Sequence, residues 1–246
     1  MIRRCDLSEL ARVLLLTNDD GVEAPGLQAL REAAAGLGRC RIVAPSGPFS
    51  GCSHKVTTGA PVVTARLGDD RFAVDGTPAD CIRLALHHLA PEFTWVLSGI
   101  NAGANLGTDI HHSGTVAAVR EAVIHGRPGI AVSHYIAPGR AIDDWPRAVR
   151  WTRVVLRDLL ARPWEPGSFW NVNLPHPEPG APEPAVVFCP LDPSPLPLVY
   201  CVEGDVASYR GDYEKRARRP SSDVDVCFGG QIAVSLVRLM PPAAIE

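Results

Sequence analysis

In Val13–Leu27, "VLLLTNDDGVEAPGL", a continuous apolar run meets two adjacent carboxylates, Asp19 and Asp20, ahead of a glycine. Short unbroken apolar runs are typical of strands buried on both faces of a parallel sheet. Residues from Pro25 to Leu37 then carry Leu27, Leu30 and Ala34 at helical spacing, closed by Gly36 and Gly38. A strand–turn–helix with acid at the turn opens the chain.

The same alternation continues outward. "CRIVAP" reads as a second strand stopped by Pro45, and "PVVTA" with "RFAVDG" as a strand pair. "TPADCIRLALHHL" opens a helix with Thr77 as N-cap and Pro78 at the first helical position. "TWVLSGIN" is a strand running into a Gly-rich loop, "SGTVAAVREAVIHG" a helix, "PGIAVS" a strand, and Pro146–Leu160 a longer helix. Strands alternating with helices predict an α/β fold: a Rossmann-like, three-layer parallel sheet with mixed edges. Such sheets bind ligands beyond the C-terminal ends of their strands. The expected catalytic core spans residues 1–162. Residues 163–246 are Pro-rich and irregular, with "FWNVNLP" and "QIAVSLV" as strands, and read as a β-rich extension carrying an oligomerisation arm.

Bulk composition bounds the function. The 246 residues are 46% hydrophobic and 21% charged, enough for a proper core. A net charge of −3 gives no basic excess for a nucleic-acid polymer. Seven scattered Cys, without CxxC or zinc spacing, read as reduced thiols of a cytoplasmic protein. The N-terminal apolar run is too short for a signal peptide or a membrane span.

Side chains alternate along a strand, so Asp19 and Asp20 converge only if the chain turns, which Gly21 permits. Two convergent carboxylates repel by roughly 4 kcal/mol at about 4 Å in an effective dielectric near 20. A divalent cation reverses that sign, and oxygen ligands with retained water describe a Mg²⁺-type site. The competing reading is a solvated acidic turn that caps the following helix. "SGINAGANLGTDIHHSGT" adds Asn101 and Asn105 between glycines, then Ser113, Gly114 and Thr115 at a helix start. Helix N-termini with hydroxyl and N–H donors receive phosphate; the competing reading is a flexible linker. His54 follows the second strand's end and is a substrate-contact candidate, with His111 and His112 beside the phosphate loop as others.

Three stretches then carry a resemblance: "LLLTNDDGVEAPGLQAL", "VDGTPADCIRLAL" and "VLSGINAGANLGTDIHHSGTVAAVREAVIHGRPGIAVS". Together they resemble the SurE family, the survival-protein-E 5'/3'-nucleotidases, with a weaker return at "YEKRARRPSSDVDVCFGGQIAVSLV". The resemblance implies a metal-dependent phosphatase acting on nucleoside monophosphates, with one divalent cation per subunit, Mg²⁺ or Mn²⁺. It places Asp19, Asp20, Ser50 and Asn101 at the metal, Asn18 and Asn105 at further active-site positions, and Ser113 near the transferred phosphate. Family members usually carry a charged segment between "AP" and the metal-binding serine, with Asp first and Arg last. Here Ser46 and Phe49 take those places, and Lys55 is the nearby base. The attacking group is a water or one of the two aspartates. A receiver-type signalling domain also pairs acids after its first strand, but it needs an acceptor Asp where "TWVLSGIN" has Ser98 and Asn101. The changed 46–49 segment leaves two further alternatives, a related phosphatase with an altered substrate and an inactive nucleotide-binding relative. The resemblance further implies a homodimer held by the arm, with any tetramer weaker than is usual because the chain stops at Glu246.

Overall fold

The computed structural model describes residues 12–49, 51–140, 144–178 and 180–239. Among them one nine-stranded sheet forms the frame. Its strands are β1 (Val13–Thr17), β2 (Arg39–Pro45), β3 (Thr64–Gly68), β4 (Arg71–Val74), β5 (Trp95–Ala102), β6 (Gly129–His134), β7 (Ser168–Leu174), β8 (Val186–Phe188) and β11 (Ile232–Arg238). They lie in the order β3-β4-β2-β1-β5-β6-β7-β11-β8. The six strands from β4 to β7 are mutually parallel. Antiparallel pairing enters at β3 on one side and at β11 on the other. The mixed-edge Rossmann-like expectation holds.

Two layers of helix cover this sheet. Leu14 and Leu16 of β1 face one side, where they meet α1 (Pro25–Ala34) and α4 (Trp145–Ala161). Leu15 faces the other side, against α2 (Pro78–Leu84) and α3 (Gly114–Ile124). All three leucines are fully buried, which is why the run is apolar at every position. Thr77 caps α2 as expected, in a reciprocal capping box with Asp80. A π-turn over Ala85–Leu89 prolongs that helix.

The structure departs from the sequence reading in three ways. "PVVTA" was expected at residues 61–65, whereas β3 begins at Thr64. The strand Ile232–Arg238 does not await a partner subunit: it is hydrogen-bonded on both sides within its own chain, between β7 and β8. Residues after 163 therefore build sheet, and β7 continues the parallel run from β6. A separate hairpin, β9 (Tyr200–Glu203) and β10 (Val206–Tyr209), was not anticipated. Its signal was present, since Gly204-Asp205 sits between two apolar-rich runs, a two-residue hairpin turn. Helix α5 (Asp223–Phe228) leads into β11. Val224 and Cys227 of α5 pack on Leu106 and Tyr135, tying the extension to the loop after β5.

Candidate active site

The order in which the chain adds its parallel strands reverses beside β1: β2 and β4 lie to one side, and β5, β6 and β7 to the other. Loops leaving β1 and β5 at their C-terminal ends consequently diverge and leave a crevice between them. A cleft of about 350 Å³ opens there, lined by Asp19, Asp20, Asn101, Asn105, Asp109 and Ser113 among others.

Both aspartates face that cleft because β1 ends at Thr17 and the chain turns. The turn is closed by Asn18, whose Nδ2 donates to the Gly21 carbonyl at 2.9 Å and whose Oδ1 accepts from the Gly21 N–H at 3.2 Å. Gly21 has φ +107, a left-handed conformation that favours glycine. Asn18 thus shapes the turn, one step back from the residues that line the cleft. Asp19 is 5% exposed. Burial pushes its pKa up to about 6, helped by the neighbouring Asp20 charge and opposed by a hydrogen bond from Thr115. Burial raises Asp20 as well.

Helix α3 points its N-terminus at Asp19. Ser113 is its N-cap, accepting from the Val116 N–H at 3.1 Å. The Thr115 hydroxyl donates to Asp19 Oδ1 at 2.5 Å. Thr115 is fully buried, and its hydroxyl is taken up in positioning Asp19. Gly114 is needed for close approach: a Cβ there would lie 2.8 Å from both Cβ and Oδ2 of Asp19.

The loop after β5 is held from behind. Asn101 Nδ2 donates to the Gly103 carbonyl at 2.8 Å, which leaves its amide oxygen with acceptor capacity. Asn105 donates to Ser133 Oγ at 2.8 Å through Nδ2. Its backbone is gripped by β7: its N–H donates to Asn173 Oδ1, and its carbonyl accepts from Nδ2 of both Asn171 and Asn173. Ser50 lies outside the described residues; Gly51, its neighbour, lines the cleft.

His54 is not in this cleft. Its Nε2 lies 2.7 Å from Oε2 of buried Glu121, which also meets Arg83 at 3.2 Å and His125 at 3.1 Å. Burial would raise Glu121, but the hydrogen bonds from His54 and His125 outweigh it and hold the carboxyl low. The expectation of a substrate contact there is overturned by this engagement. Of the two histidines beside the loop, His112 lines the cleft and His111 does not.

Sequence reasoning missed a second layer. Asp109, in the 3₁₀ turn Gly107–His111, accepts at Oδ2 from the Tyr213 hydroxyl at 2.6 Å and from Arg216 Nη1 at 2.8 Å. The Arg216 side chain is completely buried. Asp223 Oδ2 takes the Gly107 N–H at 2.7 Å, and its Oδ1 takes that of Asp192 at 2.8 Å. Leu196 and Tyr213 complete the cleft wall. "GDYEKRARRPSSD" thus packs onto the site loop; its mixed charge was the only local signal.

The donor set suits a hard divalent cation. Two carboxylates, one strongly buried and neither paired with a cationic side chain, sit with neutral oxygens from Asn101 and the α3 cap. Among the described residues no group of three or more His, Cys, Asp or Glu is placed to hold a metal. A cation here would therefore lean on those neutral oxygens.

Comparison with known proteins identifies the family. The family model described as Survival protein SurE matches residues 14–190. The chain is 51% identical over 226 residues to alr3139 of Nostoc sp., covering 92% of this chain and 99% of that one. It is 43% identical over 173 residues to "5'-nucleotidase SurE" of Rhizorhabdus wittichii, 68% of this chain and 67% of the relative. The crystal structure of the SurE protein from Aquifex aeolicus superposes with a TM-score of 0.80 at 29% identity, over 93% of this chain and 94% of that one.

Proposed function

The chain belongs to the survival protein SurE family, and from that premise we propose that it is a 5'-nucleotidase, a phosphatase that hydrolyses nucleoside 5'-monophosphates to nucleoside and phosphate. We extend the reading to nucleoside 3'-monophosphates and to dependence on one divalent cation, Mg²⁺ or Mn²⁺. The observation that carries it is the meeting of Asp19, Asp20, Asn101 and the Ser113-capped helix terminus in one crevice at the sheet's reversal point.

Asp19, Asp20 and Asn101, with Ser50, would hold the cation. When bound, it supplies Lewis-acid polarisation of a phosphoryl oxygen and cancels the repulsion between the carboxylates. Thr115 keeps Asp19 turned inward. Ser113, Gly114 and the first N–H groups of α3 receive the phosphate's equatorial oxygens, favoured by the helix dipole. Asn105, locked by Asn171 and Asn173, presents its loop to the same group. Water attacks the phosphorus in line with the departing ester oxygen.

Phosphate release from a panel of nucleoside 5'- and 3'-monophosphates, with Mg²⁺ or Mn²⁺ and after exhaustive chelation, tests all parts. Full turnover after chelation removes the metal; no release from any nucleotide removes the nucleotidase.

The same reading includes a homodimer with a weaker tetramer. The hairpin β9–β10 leaves Tyr200, Val202, Val206 and Tyr209 exposed, beside exposed Leu198. An apolar hairpin of this kind fits a second copy of the chain. Light scattering on Val202→Asp/Val206→Lys decides: an unchanged dimer frees the hairpin of that role.

A further inference from the structure

We infer that Tyr213 and Leu196 form the seat of the nucleobase; the inference rests on the phosphatase reading above. The cleft then selects phosphate esters that carry a flat aromatic base, and ranks bases by stacking surface, not by their edges. Its lining divides by chemistry. Asp19, Asp20, Asn101 and Ser113 supply polar groups where cation and phosphate belong. Leu196 and Tyr213 bring apolar surface, and both come from the chain after β8. Tyr213 packs at the edge of the Leu106 cluster together with Ala104, which also lines the cleft. Neither a cation nor a phosphate gains from such a surface, whereas a purine or pyrimidine does.

Contacts on several sides fix the Tyr213 ring. Its hydroxyl donates to Asp109 Oδ2 at 2.6 Å. The Arg216 guanidinium stands 5.1 Å from the ring centroid, and Phe228 meets the ring T-shaped at 6.0 Å. Asp109 also ties the ring to the phosphate end, because its carbonyl accepts the Ser113 N–H at 3.2 Å. One residue thus spaces the aromatic ring from the helix terminus, as the ribose of a nucleotide spaces base from phosphate.

Leu196 is preset as well. It lies between Pro195 and Pro197, whose rings hold φ at about −65°. The Ser194 N–H donates to Asp192 Oδ1 at 2.8 Å, and the Pro197 carbonyl accepts from the Tyr209 hydroxyl at 2.8 Å. Side chains held before a ligand arrives lose little freedom on binding it. The one polar atom that the pair carries, the Tyr213 hydroxyl, already donates to Asp109. The pair therefore meets the face of a base and leaves its edges unread.

The test compares kcat/KM for adenosine 5'-monophosphate with that for ribose 5-phosphate, the same ester without its base, on the full chain. Wild type should prefer the nucleotide, and should rank adenosine and guanosine monophosphates together above those of cytidine and uridine. Tyr213→Leu removes the ring and should lower the nucleotide-to-sugar ratio by about 10- to 100-fold, through KM. Any loosening of the Asp109 loop slows both esters alike and cancels in that ratio. Tyr213→Phe gives up the Asp109 bond but keeps the ring, and should keep the ratio. Leu196→Ala leaves the Asp109 bonds in place and should lower the ratio by a smaller factor. Equal kcat/KM on the two esters in wild type, a ratio that survives Tyr213→Leu or Leu196→Ala, one that falls as far in Tyr213→Phe, or a strong preference between adenosine and guanosine would each overturn the base seat while leaving the phosphatase reading intact. A wild type inert toward both esters and toward para-nitrophenyl phosphate would overturn the two together.

Discussion

Replacing Arg216 with methionine would strand a buried carboxylate. The Arg216 side chain is 0% exposed and its Nη1 lies 2.8 Å from Asp109 Oδ2, itself 11% exposed. Removing one member of a buried ion pair typically costs about 3–5 kcal/mol, because the surviving charge keeps its desolvation penalty. Here the Tyr213 hydroxyl and the Leu106 N–H still donate to Asp109, so the lower end, about 3 kcal/mol, is expected. For a chain of this size that is a melting point lower by roughly 6–12 °C. The pair can be separated from lost packing by a double variant. Arg216→Met/Asp109→Asn removes both charges and should recover about 1–3 kcal/mol relative to the single change. Urea unfolding followed by far-UV circular dichroism gives both numbers. A loss below about 1 kcal/mol for Arg216→Met, or a double variant no more stable than the single one, would refute the buried pair as a stabilising contact.

Thr115→Val keeps the side-chain volume but removes the 2.5 Å bond to Asp19; losing a hydrogen bond to a charged group of about 1.5–3 kcal/mol should weaken Mn²⁺ binding roughly 10- to 100-fold by calorimetric titration. Gly114→Ala puts a methyl 2.8 Å from Asp19 Oδ2, so hydrolysis should fall by about tenfold or more in a steady-state assay, with far-UV circular dichroism unchanged. In metal-free protein, Asp19 and Asp223 have pKa values pushed up to about 6 by burial. Their protonated forms therefore favour the fold at low pH, and that contribution is lost as pH rises through about 6. Asp192 has the opposite sign: hydrogen bonds from Arg219, Ser222 and Ser194 overcome burial and hold it at about 2, so its contribution disappears as pH falls from about 4 toward 2. Chelated protein should melt higher near pH 5 than near pH 8, and Asp19→Asn should shrink the difference; a melting point that climbs steadily toward pH 8 would show the shifts to be wrong.

The parts of the molecule readable in advance share one property: their logic is local. The apolar run of β1, the turn acids, the Thr77–Asp80 capping box and the Ser113 cap each occupy a few consecutive residues. Asn101 and Asn105 were recognisable because they recur within a Gly-rich loop. What escaped notice depends on contacts across the chain. Asn171 and Asn173 look like alternate polar positions of an ordinary strand, yet both reach the Asn105 carbonyl. Arg216 sits in a charged stretch whose composition says solvent, although its side chain is the most buried cation of the site. His54 failed for the inverse reason: its sequence position suits the cleft, but buried Glu121 on α3 offers a stronger partner. The final strand was isolated in sequence only because both of its neighbours, β7 and β8, lie far upstream.

The Arg216–Asp109 pair also sets an order of events during synthesis. Its members are 107 residues apart in the chain. At about 5–20 residues per second, Asp109 leaves the ribosome roughly 5–20 s before the guanidinium that neutralises it. Leu196 and Tyr213, which wall the cleft, arrive in the same late interval. A nascent chain that has completed β1 to β6 therefore carries every described candidate cation and phosphate ligand, yet its phosphate loop still lacks its anchor. The crevice closes only when the last sixth of the chain has emerged, so hydrolysis by a ribosome-bound fragment would have to await that segment.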